Sequence, residues 1–106
     1  MAELNELIHQ QVRLRLMAAL SSLSAGDSAN FTYLRDLLEV TDGNLGAHLV
    51  KLEMAGYIHV DKRFVKRKPH TFVAITRKGR KAFRDHVSAL EGILHRRPED
   101  GPETAT

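Results

Sequence analysis

Phe31-Thr32-Tyr33-Leu34-Arg35-Asp36-Leu37-Leu38-Glu39-Val40-Thr41-Asp42-Gly43-Asn44-Leu45-Gly46-Ala47-His48-Leu49-Val50-Lys51-Leu52 is the stretch on which the fold turns. Leu34, Leu37 and Leu38 supply a short buried stripe on a helix whose start Thr32 can cap with its side-chain oxygen. Thr41 caps a second helix, with Asp42 in its first turn, where the helix dipole favours a carboxylate. On that helix Leu45, Leu49 and Leu52 fall at i, i+4 and i+7 and make one buried stripe. Gly56 stops it, at a position where positive φ is wanted. Two short helices joined so tightly read as a helix-turn-helix.

Outward from this pair the hydrophobic period changes. Downstream, Tyr57 to Lys62 alternates with Ile58 and Val60 on one face, and Thr71 to Ile75 with Val73 and Ile75 on one face. The polar connection Arg63 to His70 makes these an antiparallel hairpin with a long basic tip. Thr76 then caps a last helix, along which Phe83, Val87, Leu90 and Leu94 follow at steps of four, three and four, a coiled-coil-like seam. Upstream, Leu4, Leu7, Ile8, Val12, Leu16, Met17, Leu20 and Leu23 predict one long helix, kinked near its start, over residues 4–24. Residues 97–106 carry Pro, Gly and acid without apolar periodicity and read as a disordered tail, leaving 1–96 as one domain. The class is α+β, mostly helical.

Composition sets the outer bounds. The chain has 106 residues, one domain's worth. No apolar run approaches the ~18 residues of a membrane span. The start, Met1-Ala2-Glu3-Leu4-Asn5, lacks the basic and apolar regions of a secretory signal, so a cytoplasmic protein is expected. With no cysteine, disulfides and thiolate metal sites are excluded. Charge is segregated rather than mixed. Residues 1–61 hold 4 basic and 8 acidic residues, residues 62–84 hold 10 basic and none acidic, and residues 85–106 hold 2 basic and 5 acidic. A field of that sign suits a polyanion, although a solvated loop and helix face is the plainer reading.

The second helix of the pair leaves Asp42, Gly43, Asn44, Ala47, Val50 and Lys51 on or beside its outer face. Asn44 suits an adenine edge, and Lys51 a phosphate or a guanine. Gly43, Gly46 and Ala47 read little themselves but let a backbone approach closely. The face is poor in polar readers for a strongly selective binder, and spacing alone also fits an ordinary helical pair in a core.

These residues resemble a known family. Phe31 to Leu38 and Thr41-Asp42-Gly43-Asn44-Leu45 look like the helix-turn-helix of small winged-helix regulators related to the MarR and ArsR repressors. Leu49-Val50-Lys51-Leu52-Glu53-Met54-Ala55-Gly56-Tyr57-Ile58 resembles the end of their recognition helix and first wing strand, and Ile75-Thr76-Arg77-Lys78-Gly79-Arg80 the start of their last helix. The resemblance implies binding of double-stranded DNA as a homodimer, with the third helix in the major groove, the wing along the backbone, and dimer contacts from the terminal helices. Carried over by position, Thr41, Asp42, Gly43, Asn44, Ala47, His48 and Lys51 face the groove, and Arg63, Lys66, Arg67 and Lys68 form the wing tip. One departure is plain. The cysteines or histidine-carboxylate sets of ArsR-type metal sensors are missing, so no metal or cofactor is expected.

The terminal stripes point to the same assembly independently. Phe83, Val87, Leu90 and Leu94 follow the wing with little domain left to cover, and Leu4, Leu7 and Ile8 extend beyond what the helix-turn-helix can bury. Each is expected to cover its counterpart across a two-fold axis, unless the last helix folds back on its own domain. The six histidines are scattered; only His59, Asp61 and His70 could meet, across the hairpin, as a weak metal or proton site. No nucleophile set, phosphate loop or paired carboxylates appear, so no enzyme is expected. Two alternatives stay open: a winged-helix module that docks another protein, and a sequence-tolerant architectural DNA binder. An unidentified small-molecule effector also remains open.

Overall fold

A computed structural model describes residues 3–95. The order is helix α1 (Gln11–Ser21), strand β1 (Ala29–Asn30), helices α2 (Phe31–Leu38) and α3 (Asp42–Met54), strands β2 (Ile58–Val65) and β3 (Lys68–Ile75), and helix α4 (Arg77–Leu94). The strands form one antiparallel sheet in the order β1-β3-β2. This is the expected winged helix-turn-helix, α+β with helix predominating.

Local chemistry sets the element boundaries. The Thr41 side chain accepts from the Asn44 N–H at 3.0 Å and that of Thr76 from the Gly79 N–H at 2.9 Å, so both expected caps are present. At α2 the cap is Asn30, whose side chain accepts from the Thr32 N–H at 2.8 Å; Thr32 lies inside the helix. Glu39, left-handed at φ 55°, reverses the chain between α2 and α3, and its N–H donates to α2 carbonyls. Leu45, Leu49 and Leu52 of α3 bury as their spacing requires, against Leu16, Met17 and Leu20 of α1 and Leu34 of α2. Ile58 and Val73 bring the hairpin onto the same core.

Two expectations need correction. The helix predicted over 4–24 is α1 alone, over Gln11–Ser21. Ahead of it Asn5 closes a single turn, its side-chain oxygen accepting from Ile8 N–H at 3.0 Å and its carbonyl from His9 N–H at 2.7 Å. The Gln10 side chain then starts α1 by accepting from Arg13 N–H. This turn folds Ile8 fully into the chain's own core with Leu7 packed against it, so these two are spent within the domain.

The hairpin, second, has no long tip. Its strands run on until Val65 pairs with Lys68, and only Lys66 and Arg67 turn the chain, at φ 52° and 67°. Positive φ at both turn residues is the two-residue geometry whose twist matches paired strands. The strand β1, which pairs Ala29 with Val73 and Asn30 with Phe72, had no periodic signal at its length of two residues. The expected tail, residues 97–106, lies outside the described residues.

Candidate nucleic-acid interface

The outer face of α3 follows from its buried stripe. Opposite Leu45, Leu49 and Leu52 stand Gly43, Ala47, Val50 and Met54, with Asn44 and Lys51 along one flank. Gly43, Asn44, Ala47 and Lys51 are exposed, Val50 is 56% exposed and Met54 83%. Nothing lies within 4 Å of a Cβ built on Gly43 or Gly46. The surface is therefore open, low in relief and mostly apolar, with one amide and one ammonium beside it.

Two residues placed on this face by resemblance are held elsewhere. Asp42 accepts from Arg35 at 2.8 Å, and Arg35 also pairs with Asp36 at 3.0 Å, so the two carboxylates raise the guanidinium pKa and lock α2 to the start of α3. His48 is half-buried, and its Nδ1 lies 3.0 Å from the Arg13 guanidinium of α1. Burial first, then Arg13 and Lys51, push its pKa below the ordinary imidazole value. The ring is thus a neutral acceptor turned to the domain. Its position three residues after Leu45 and four before Leu52 signalled the half-burial, though not the partner. Thr41 is exposed, but its hydroxyl is engaged as the cap.

The wing separates its charges by role. Arg63 is not at the tip: it stands opposite His70, pairs with Asp61 at 3.0 Å, and stacks 4.0 Å from the Phe72 ring centroid. Its side chain braces the hairpin. His70 is hydrogen-bonded to the Asn30 amide at 3.1 Å and His59 stands opposite Ala74, so the envisaged His59–Asp61–His70 site is not assembled. Among the described residues no group of three or more potential ligands could hold a metal. At the tip Lys66, Arg67 and Lys68 are exposed and make no ion pair or side-chain hydrogen bond among the described residues. Lys62, absent from the expected set, joins them. It shares with Phe31, Gly46, Val50 and Thr71 a groove between α3 and the hairpin. Its place two residues beyond Val60 on the same strand face was the available signal.

Further along, the basic run has internal work. Arg80 donates to the carbonyls of Ser21 and Leu23 at 2.9 and 2.8 Å, closing the end of α1, and Lys81 pairs with Asp85 at 2.7 Å. On α4, Phe83, Val87 and Leu90 are half-buried, while Ile93 is 57% and Leu94 74% exposed. Leu4 is half-buried in the N-terminal segment. Among the described residues no helix is long and apolar enough to cross a membrane.

A helix-turn-helix followed by a basic two-stranded wing defines a winged-helix protein. The chain belongs to the winged helix DNA-binding domain family, whose model matches residues 12–94. An uncharacterized protein of Methanocaldococcus jannaschii is 37% identical over 82 residues, covering 77% of this chain and 86% of that one. Among solved structures, a transcriptional regulator homologue from Pyrococcus horikoshii OT3 matches with a TM-score of 0.77 and 29% identity, over 85% of this chain and 86% of that one. HlyU from Vibrio cholerae N16961 shares the fold at a TM-score of 0.58 and 18% identity, over 85% of each chain. NadR, solved in complex with 4-hydroxyphenylacetate, shares it at 0.67 and 17%, over 85% of this chain and 61% of that one. The family is that of winged helix DNA-binding domains, and the Pyrococcus horikoshii neighbour is a transcriptional regulator homologue.

Proposed function

We propose that the chain is a double-stranded-DNA-binding transcription regulator acting as a homodimer, with α3 in the major groove and the wing along the backbone. The observation that supports this is the groove between α3 and the hairpin, lined by Gly46, Val50 and Lys62, beside a wing turn at which Lys66, Arg67 and Lys68 are exposed. A helix presented so suits a ~12 Å major groove, and the lysines and arginine suit the phosphates beside it. Asn44 is the residue assigned to base reading and Lys51 to phosphate or guanine. The dimer reading rests on the end of α4, where Ile93 and Leu94 are exposed among the described residues. A small-molecule effector belongs to the same reading. A cavity of about 390 Å³ between the N-terminal segment and α4, lined by Asn5, Tyr57, Lys78 and His86 among others, offers the space.

The test is selection of bound sequences from a randomised duplex pool, followed by titration of the winner against Asn44→Ala. Loss of roughly 1–3 kcal/mol confined to one base position is expected. A second reading, sequence-tolerant architectural binding, is favoured by the blank Gly43–Ala47–Val50–Met54 face. It predicts no enrichment and an Asn44→Ala loss equal on random DNA. A protein-docking module predicts no duplex affinity at all.

A further inference from the structure

The hairpin treats its two aromatic residues in opposite ways. Phe72 is half-buried and covered by the Arg63 guanidinium, 4.0 Å above its ring. Phe64 is 78% exposed, close to the turn. The residue directly across the ladder from it is Pro69, also exposed, so the two form an apolar pair on one strand face. That face also carries Val60, Lys62 and Thr71, and these three line the groove shared with Val50 of α3. Lys62 stands on the same strand face, Lys66 and Arg67 make the turn beside the pair, and Lys68 lies on the opposite face.

From these placements we infer that Phe64, backed by Pro69, is an apolar wedge that enters the DNA minor groove and opens a base step. The inference rests on the DNA-binding reading above and deepens it. Three arguments converge. A bare phenylalanine between Lys62 on its own strand face and the Lys66–Arg67 turn is matched to a partner that is anionic outside and apolar within, which describes a minor groove with stacked bases at its floor. Phe64 lies four residues beyond Val60, about 13 Å along the strand at ~3.3 Å per residue. That reach carries it past the phosphate ridge bounding the ~12 Å major groove assigned to α3. Phenylalanine and proline, finally, are among the side chains that wedge between base steps from the minor groove and kink the duplex.

The experiment uses the full chain and the duplex selected from the randomised pool. That duplex carries 2-aminopurine at successive steps flanking the α3 footprint and a donor–acceptor dye pair at its ends. The wild-type protein should raise 2-aminopurine fluorescence at one flanking step and shorten the end-to-end distance. Phe64→Ala should abolish both and weaken binding about tenfold, while the slope of log affinity against log salt stays unchanged because no phosphate contact is lost. Phe64→Leu should keep most of the unstacking. As the side chain is exposed, thermal melting of both variants should match the parent. Unchanged fluorescence, bend and affinity in Phe64→Ala overturns the wedge while leaving the DNA reading intact. So does tighter binding to the unpaired strand than to duplex, or conversion of the protein to monomers by Phe64→Ala. Failure of the wild type to bind any duplex overturns the DNA reading itself.

Discussion

Gly79, in the first turn of α4, lies against the backbone of Tyr57 so closely that a Cβ there would overlap the Tyr57 carbonyl oxygen. The same oxygen accepts from Thr76 N–H at 2.9 Å, and the Thr76 hydroxyl donates to the Gly56 carbonyl at 2.6 Å. The end of α3, the root of the wing and the start of α4 are thus tied at one point, and that point fixes where the wing leaves the domain.

Gly79→Ala should therefore push these elements apart. Overpacking of a closed contact costs typically 1–3 kcal/mol, which in a domain of this size lowers Tm by roughly 4–8 °C per kcal/mol. Thermal unfolding followed by circular dichroism checks it. A melting temperature within a degree of the parent would mean the junction yields freely and does not set the wing's direction.

The wing offers a cleaner charge test than alanine replacement. Lys66 and Arg67 occupy φ 52° and 67°, where alanine is strained, whereas Asn-Gly prefers this turn. Lys66→Asn with Arg67→Gly removes two charges and keeps or improves the hairpin. If both residues contact phosphates, the slope of log affinity against log salt should fall by about 1.8, at ~0.9 per contact. An unchanged slope with an intact melting curve would assign these charges to another partner.

Much of this architecture was legible in the sequence, for reasons that also explain what was not. Thr41 and Thr76 cap because each offers a side-chain oxygen to a free N–H three residues on, just ahead of an apolar stripe, and Gly56 ends α3 at φ 81°, where a side chain would be strained. These are local effects, readable from neighbours. The turn at Lys66–Arg67 is not: neither residue favours positive φ, so cross-strand pairs on either side impose it. Asn5 defeated the helical reading of the N-terminus because its bonds to His86 and Tyr57 span 81 and 52 residues, beyond any local pattern. Within the candidate site, α3's outer face was legible from its stripe. The engagement of Asp42 by Arg35, of His48 by Arg13 and of Arg63 by Asp61 was not, since each depends on a side chain's partner rather than its position.

The Asn5 contact makes stability depend on pH. His86 is fully buried, its Nδ1 accepts from Asn5 N–H at 2.8 Å, and its Nε2 has no partner among the described residues. Burial chiefly, then the His9 imidazole beside it, holds its pKa below the ordinary value, with Glu6 opposing. A proton on Nδ1 would also face the Asn5 N–H. The folded chain thus binds a proton less readily than the unfolded chain, whose histidine titrates near ~6.5. Stability is full above that pH and falls as pH drops through it toward the folded value, by at most about 1.4 kcal/mol per pH unit for this group. His48, also lowered, acts in the same direction. Urea unfolding at pH 7.5, 6.5 and 5.5 should show the decline. His86→Gln, which keeps an acceptor for Asn5 without titrating, should make it shallower. Equal pH slopes in parent and variant would remove His86 from the account.

The exposed end of α4 bears on assembly. Ile93 and Leu94 sit in the last turn of an 18-residue helix, one 57% and the other 74% exposed, beyond the buried Ala89. Phe83 packs against the core, Val87 and Leu90 are half-buried, and Leu94 is exposed. In the proposed homodimer this apolar edge would be covered by its own copy, in a two-fold arrangement that makes the contact self-complementary. The same axis would present two α3 helices about one turn of DNA apart and so select a pseudo-palindromic site. Ile93→Glu with Leu94→Glu tests this with little risk to the fold, because substitutions at exposed positions usually shift stability by no more than ~0.5 kcal/mol. Light scattering at micromolar concentration should give the parent twice its chain mass of 11.9 kDa and the variant a single chain. Losing the linked second half-site should weaken binding to a palindromic duplex by on the order of 10²–10⁴, with a single half-site little affected. A parent that is monomeric at that concentration and still binds the palindrome tightly would sink the dimer, and would leave the apolar end of α4 to a different partner.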